Sequence, residues 1–326
     1  MQHQPAATRR PRRLDVFDIT RGIALLAMAV YHLSWDLSWF SLVDWRVSSD
    51  PAWRGFAISI AASFLFLAGV SLALAHENGI RWRPALWRIA RIALAAAAIS
   101  VGTYFVLGDE FVRFGILHAI AAGSLVALPF VLAPPLPTLA AALAVFLLPR
   151  HVAVSFPGDQ WLMWTGLTED PPLSVDYVPL FPWLAAILAG IAAVKLLRGR
   201  TPWSLLAGIR AKGAFSRTMA FAGRHSMIVY LLHQPILFGS VWAVVALGLV
   251  PDASDRAFLD QCAASCSLAS EADDCTQVCS CTLDAMRDDG SWGRLLDAPR
   301  DPALNDLLSQ RYGACAAPFA PSAPTD

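Results

Sequence analysis

Apolar residues form long uninterrupted runs along the first 250 residues of the chain. A helix needs roughly 20 apolar residues to cross a hydrocarbon core of about 30 Å. Six runs approach that length, and a shorter seventh follows the sequence APPLP; in chain order they are 21–43, 55–75, 92–107, 115–132, 136–148, 179–197 and 226–250. The pattern predicts about seven helices. The run 136–148 either spans, is re-entrant, or lies at an interface.

Composition places the chain in the membrane class. Of its 326 residues, 56% are hydrophobic and 15% are charged, which excludes an ordinary soluble enzyme. The net charge is zero, but residues 251–326 hold 13 acidic residues and five arginines. The two parts of the chain therefore face different surroundings.

Positive charge predicts the orientation. If the N-terminus is cytoplasmic and all seven helices cross, the inside segments hold 16 lysines and arginines, and the outside loops within the first 250 residues hold four. The positive-inside rule then predicts a multi-pass inner-membrane protein whose C-terminus is periplasmic or extracellular. Residues 1–20 are predicted to form a cytoplasmic basic segment, 21–250 a transmembrane domain, and 251–326 an exported module.

All six cysteines lie in the acidic C-terminal segment. An even number of cysteines confined to one exported segment indicates disulfides. The pairs Cys262/Cys266 and Cys275/Cys279 have C-x-x-x-C spacing, so two antiparallel helices could carry them as cross-links between helices. A zinc site built from the same thiolates is the alternative.

Polar residues interrupt the first apolar run on one helical face. At 100° per residue, His32 lies about 20° and Asp36 about 60° around the axis from Arg21, with His32 near mid-membrane. Ionisable groups at that depth usually face a bundle interior or a cavity and mark function. A carboxylate one turn from an imidazole can orient it as a base. A buried pair that only packs helices, and a proton-coupled transporter, remain open.

Further polar groups are predicted near the outer level. His118 lies inside the fourth run and Arg113 just before it, where both could complete an outward-facing pocket with Asp36. A lone interfacial histidine is more often a packing residue, which is the alternative for His118. In the last run, His233 and Gln234 stand beside Pro235. Their alternative role is to satisfy backbone groups that the proline frees.

Five blocks of the chain together resemble a known family: RLDVFDITRGIALLAMAVYHLSWDL, FLFLAGVSLAL, FGILHAIA, DYVPLFPWLAAILAGI and GRHSMIVYLLHQPIL. They are similar to bacterial membrane proteins grouped with the catalytic domain of heparan-alpha-glucosaminide N-acetyltransferase. The spacing from Arg21 to His32 also resembles the first helix of membrane sugar O-acyltransferases, in which the histidine is thought catalytic.

The resemblance implies acyl transfer across a membrane, from cytoplasmic acetyl-CoA to an amine or hydroxyl of an envelope glycan or glycolipid. It implies that His32 is the general base or briefly carries the acetyl group, that Asp36 orients it, and that Arg21 and the inner basic loops hold CoA phosphates. His118 and Arg113 would bind the acceptor. Basic inner loops that serve topology alone are the alternative.

These observations predict an all-α transmembrane bundle with a small disulfide-rich exported module. The predicted function is acetyl-CoA-dependent acyl transfer, with the bilayer and a glycan or glycolipid as partners and with no nucleic acid and no metal. A homo-oligomer stays open. The alternative function is a transporter or scaffold that uses the His32/Asp36 stripe to relay protons or to pack helices. Because only the first helix carries a full polar stripe, the enzyme is favoured.

Overall fold

The computed structural model describes residues 14–156, 159–170, 172–250, 253–267 and 272–319, and within these ranges every regular element is helical. The predicted basic segment therefore lies largely outside the described residues. The α-helices are α1 (Asp15–Trp39), α2 (Pro51–Ala75), α3 (Trp82–Leu107), α4 (Ile116–Ala127), α5 (Pro135–Leu147), α6 (Leu180–Leu197), α7 (Thr201–Gly208), α8 (Ala214–Arg224), α9 (Ser226–Ala246), α10 (Ala253–Cys266), α11 (Ala272–Asp288), α12 (Ser291–Asp297) and α13 (Pro302–Ala316).

The predicted all-α membrane fold is confirmed, with five helices of the described ranges long and apolar enough to span a bilayer: α1, α2, α3, α6 and α9. The predicted fourth run is shorter than expected. Its helix α4 ends at Ala127, and a 3-10 turn follows over Leu128–Val131, because Pro129 has no N–H to continue the helical ladder. Crossing by α4 and α5 remains a prediction. The chain is a multi-pass membrane protein.

The spanning helices expose apolar side chains that suit lipid. The window of α9 that could span is only 6% buried, and that of α3 only 11%. Their exposed faces carry large apolar residues, which include Leu94, Val101, Phe105, Val106, Ile228, Leu232 and Ile236. A surface of this kind is costly in water and favourable in a bilayer.

The described residues divide into two compact units, and the first holds Arg46–Leu237 with α1 as far as Trp35. Helices α2 and α6 pack against each other at its centre, and glycines allow their backbones to approach closely. A Cβ at Gly69 would lie 1.9 Å from the carbonyl oxygen of Ile187, and one at Gly190 would lie 2.2 Å from that of Phe66. Small residues that let helix backbones approach are the usual basis of packing in membranes.

The junction between α4 and α5 is held by a lysine from α6. Lys195 donates hydrogen bonds from Nζ to the carbonyl oxygens of Phe130, at 2.7 Å, and of Ala133. These carbonyls lie where the 3-10 turn ends and the chain reverses before α5, so helical bonds do not satisfy them. Lys195 therefore serves the fold, although it also counts toward the positive charge of the predicted inner face.

The second compact unit comprises Asp36–Trp45 and Phe238–Asp326. Disulfides join Cys262 to Cys279 and Cys266 to Cys275, so that α10 and α11 are linked twice, as the C-x-x-x-C spacing predicted. A third disulfide joins Cys281 of α11 to Cys315 of α13. The predicted disulfide module is confirmed, and with all six cysteines in disulfides the zinc alternative has no thiolates.

A small core and one buried carboxylate complete the module. Leu283, Met286, Trp292 and Leu295 form the apolar cluster. Asp255 of α10 is 1% exposed; its Oδ1 accepts a hydrogen bond from the Trp292 indole at 2.7 Å, and its Oδ2 pairs with Arg287. A buried carboxylate is stable only when it is paired in this way. The disulfides supplement a core that is small for an independent module.

Candidate active site

Helix α1 carries the predicted polar stripe and is longer than its apolar run. It starts at Asp15, because charged residues such as Asp18 and Arg21 do not end a helix although they end a hydrophobic pattern. Arg21, His32 and Asp36 therefore lie on one continuous helix, on the face that the sequence predicted. The Asp36 side chain is fully buried, at 0% exposure, one turn beyond His32.

His32 contacts a second histidine that the sequence had placed in the last spanning helix. The ring centroids of His32 and His233 are 5.0 Å apart, at an interplanar angle of 64°. Tyr31 packs edge-on against His32, and Tyr230 packs against His233. The two imidazoles thus lie together inside the spanning bundle.

The backbone of α9 fixes the tautomer of His233. Its Nδ1 lies 2.5 Å from the carbonyl oxygen of Tyr230. A carbonyl only accepts, so Nδ1 must carry the hydrogen and donate it. Nε2 is then the nitrogen with the free lone pair. This Nε2 atom is buried and has no hydrogen-bond partner among the residues that the structure describes.

His118, predicted to bind the acceptor, has both ring nitrogens engaged by the fold. Its Nδ1 accepts a hydrogen bond from the Gly115 N–H at 3.2 Å, which caps the start of α4. Its Nε2 lies 3.4 Å from the Ser100 hydroxyl, which in turn donates to the carbonyl of Val112 at 2.6 Å. These bonds define a neutral ring whose visible role is to join α3 to α4.

Arg113, the other predicted acceptor ligand, holds two loops together. Its guanidinium donates to the carbonyls of Leu173, at 3.3 Å, and Asp109, at 3.0 Å, and it stacks over the Phe111 ring. The Ser174 hydroxyl adds bonds across the same two loops. Arg113 and His118 are therefore close to each other, in the loop-and-helix junction that the sequence placed at the outer level.

Asp176 is a functional candidate that the sequence reasoning missed. Its Oδ2 accepts a hydrogen bond from the Ile116 N–H at 3.0 Å, at the N-terminus of α4. A Cβ at Gly115 would lie 2.2 Å from this oxygen, so the glycine makes room for the carboxylate. Burial raises the pKa of the Asp176 carboxyl, and the Ile116 bond lowers it by a smaller amount. The sequence signal that could have revealed Asp176 is an acidic residue in DYVPLFPW, directly before the apolar run 179–197.

Asp176 is linked to the histidine pair through Tyr230, with which it shares a small cavity. Tyr31 and Tyr230 are the ring neighbours of His32 and His233 respectively. Tyr230, His118 and Asp176 also line one small cavity. The structure therefore brings His32 and His233 together with Tyr31 and Tyr230. His118, in the first turn of α4, lies beside Asp176, and Arg113 lies in the loop before α4.

Arg21, predicted to bind CoA, lies toward the other end of α1 and braces three helices. Its guanidinium donates to the Ser71 hydroxyl at 2.7 Å and to the Gly223 carbonyl at 3.4 Å, and it pairs with Asp18 at 3.4 Å. A Cβ at Gly223 would lie 1.9 Å from the Asp18 carbonyl, so α1 and α8 are in close contact here. Arg21 is therefore ordered by α2 and α8.

Two more arginines gather beside Arg21. Arg88 of α3 is partly buried, and the charges of Arg21 and Arg91 act on it. In the described part of the chain, neither Arg88 nor Arg91 forms an ion pair, whereas Arg198 at the end of α6 pairs with Glu77. A cluster of cations with so little counter-charge is suited to an anionic ligand such as a phosphate.

The fold and these residues define a multi-pass membrane protein with an imidazole pair inside its helical bundle and an arginine cluster toward the other end of α1. The family model described as heparan-alpha-glucosaminide N-acetyltransferase, catalytic, matches residues 13–235, and the chain belongs to this family. The family is one of transferases, and the matched span contains every candidate residue of the first unit. No curated protein and no solved structure shows significant similarity to the chain.

Proposed function

We propose that the protein is a membrane acyltransferase that moves an acetyl group from cytoplasmic acetyl-CoA to an amine or hydroxyl of an envelope glycan or glycolipid. One observation carries the proposal: an imidazole at mid-helix, close to a second imidazole, lies within the span that matches an acetyltransferase family. Proton removal from an acceptor is the step that such a group catalyses.

In the proposed reaction, His32 acts as general base on the acceptor. The acceptor nitrogen or oxygen forms a bond to the acetyl carbon while its proton passes to imidazole. The bond from carbon to sulfur then breaks, and the CoA thiolate takes up a proton. Asp36, one turn along α1, orients the His32 ring. His118 and Arg113 shape the loop against which the acceptor binds.

The arginine cluster is proposed to hold CoA phosphates on the cytoplasmic side. Arg88 and Arg91, which form no ion pair with any residue that the structure describes, supply guanidinium groups, and Arg21 supplies charge from a position fixed by α2 and α8. This assignment sets the orientation: the N-terminus is cytoplasmic, and the disulfide module is exported, as the charge distribution predicts. The location proposed is the inner membrane.

The test of the function is transfer of label by the purified full-length protein. Radiolabelled acetyl-CoA is supplied with glucosamine, which offers an amine and hydroxyls, or with glucose, which offers hydroxyls alone. Envelope glycan fractions serve as a third acceptor. We expect label in at least one acceptor, with free CoA released in equal amount. Absence of transfer to all three would reject the function in favour of a transporter or scaffold.

Substitution of Arg88 tests the CoA assignment. Arg88→Gln removes one charged hydrogen-bond donor, and such bonds contribute about 1.5–3 kcal/mol, so we expect KM for acetyl-CoA to rise about tenfold or more at little change in kcat. Arg54→Gln, at an exposed position on the predicted outer side, is the matched control. Equal KM values for Arg88→Gln and the control would remove the cluster from CoA binding.

A further inference from the structure

The hydrogen bond of His233 to the backbone fixes its tautomer and leaves Nε2 as the basic nitrogen. Nδ1–H is committed to the Tyr230 carbonyl at 2.5 Å, so a proton can be accepted only at Nε2. That atom is buried and has no hydrogen-bond partner among the described residues. Buried polar atoms are rarely left in this state, and those that are call for a ligand, a water or a reactive role.

The proline beside His233 does not account for this arrangement. Pro235 has no N–H, and the carbonyl it leaves unpaired in an α-helix is that of Leu231, four residues earlier. The His233 ring instead donates to Tyr230, a different carbonyl. His76 and His225 make a similar Nδ1 bond to the carbonyl four residues before them, but no second imidazole is recorded beside either ring among the described residues.

Two imidazoles in contact inside a spanning bundle cannot both hold a proton readily. Like charges at this separation repel strongly where water is scarce. Tyr31 and Tyr230 of the same unit pack against these rings, and a phenol is neutral near pH 7. Asp36 lies one turn from His32 along α1. The pair is therefore built to hold one proton at a time.

We propose that His233 is a second catalytic residue of the acyl transfer, and that His32 and His233 together carry its single proton. The inference rests on the proposed function. The acceptor N–H or O–H gives its proton to the pair as the new bond to the acetyl carbon forms. His233 Nε2 is the position that holds this proton. The same proton leaves for the CoA sulfur as the bond from carbon to sulfur breaks, and the pair returns to neutrality.

The experiment compares His32→Gln, His233→Gln and the double variant in the full-length protein, with glucosamine and labelled acetyl-CoA as probes. We expect His233→Gln to lower kcat by about 10²–10⁴ with KM for acetyl-CoA unchanged. Residues that act as one unit are not additive, so the double variant should lose no more than about the worse single variant. His225→Gln, which removes a histidine with a similar backbone bond, should keep wild-type kcat.

Turnover is expressed per folded molecule, with the melting temperature measured on the same samples. His233→Asn is made as a second variant, because its amide can still donate to the backbone but cannot act as a base. Wild-type transfer with normal kcat in either folded His233 variant would overturn this inference and leave the proposed function intact. Losses that multiply in the double variant would also overturn the pairing. No transfer by the wild type would reject the function and the inference together.

Discussion

Replacing His32 by glutamine is expected to lower turnover by a factor of about 10²–10⁴, the usual contribution of a positioned acid–base group. Glutamine is close to histidine in size and keeps hydrogen-bonding atoms, but it cannot accept a proton near neutral pH. The helices should therefore stay packed while the chemical step fails. The measurement is the rate of label transfer per folded molecule, with the melting temperature in detergent taken on the same preparation.

Asp36→Asn tests whether Asp36 only orients the ring of His32, the residue that accepts the proton. If Asp36 only orients the ring, its loss should cost less turnover than the loss of His32. Because the Asp36 side chain is fully buried, the variant also reports on packing. If the stripe on α1 only packs helices, both variants lose yield and melting temperature while turnover of the surviving protein stays at the wild-type value. That result would remove His32 from the chemistry.

The helical fold was predictable from sequence because the length of each hydrophobic run matches the thickness of the bilayer that a helix must cross. The cross-links between α10 and α11 were predictable for a similar local reason: cysteines four apart lie one turn apart on the same face. Helix ends were less predictable. The apolar run of α1 begins at Arg21, whereas the helix itself begins at Asp15. Pro129 shortens the regular part of α4, which ends at Ala127.

The site was only half predictable. The spacing of Arg21, His32 and Asp36 lies within one helix, so periodicity alone reveals their shared face. The neighbours of His32 come from other helices and loops, and no periodicity within one segment connects His32 with His233 or Asp176. His118 shows the opposite limit: the sequence left both a binding role and a packing role open, and only the bonds to Gly115 and Ser100 reveal what the residue holds together.

Removing the disulfide between Cys281 and Cys315 is expected to destabilise the C-terminal module most among its three cross-links. The bridge closes a sequence separation of 34 residues, against 9 for Cys266 and Cys275. The loop-entropy relation gives about 4 kcal/mol for the longer loop and about 3 kcal/mol for the shorter one. Hydrogen exchange of α11 amides in the full-length protein in detergent measures the loss.

The matched variants are the paired serine replacements of each bridge, because both remove two sulfurs and differ in loop length. Exchange protection in α11 should fall further for Cys281→Ser/Cys315→Ser than for Cys266→Ser/Cys275→Ser.

The same cysteines test the orientation, since stable disulfides form outside the cytosol. Thiols in protein alkylated within intact cells should be blocked until reductant is added. Six thiols that react without reductant would place the module in the cytosol and reverse the topology that the acyl transfer requires.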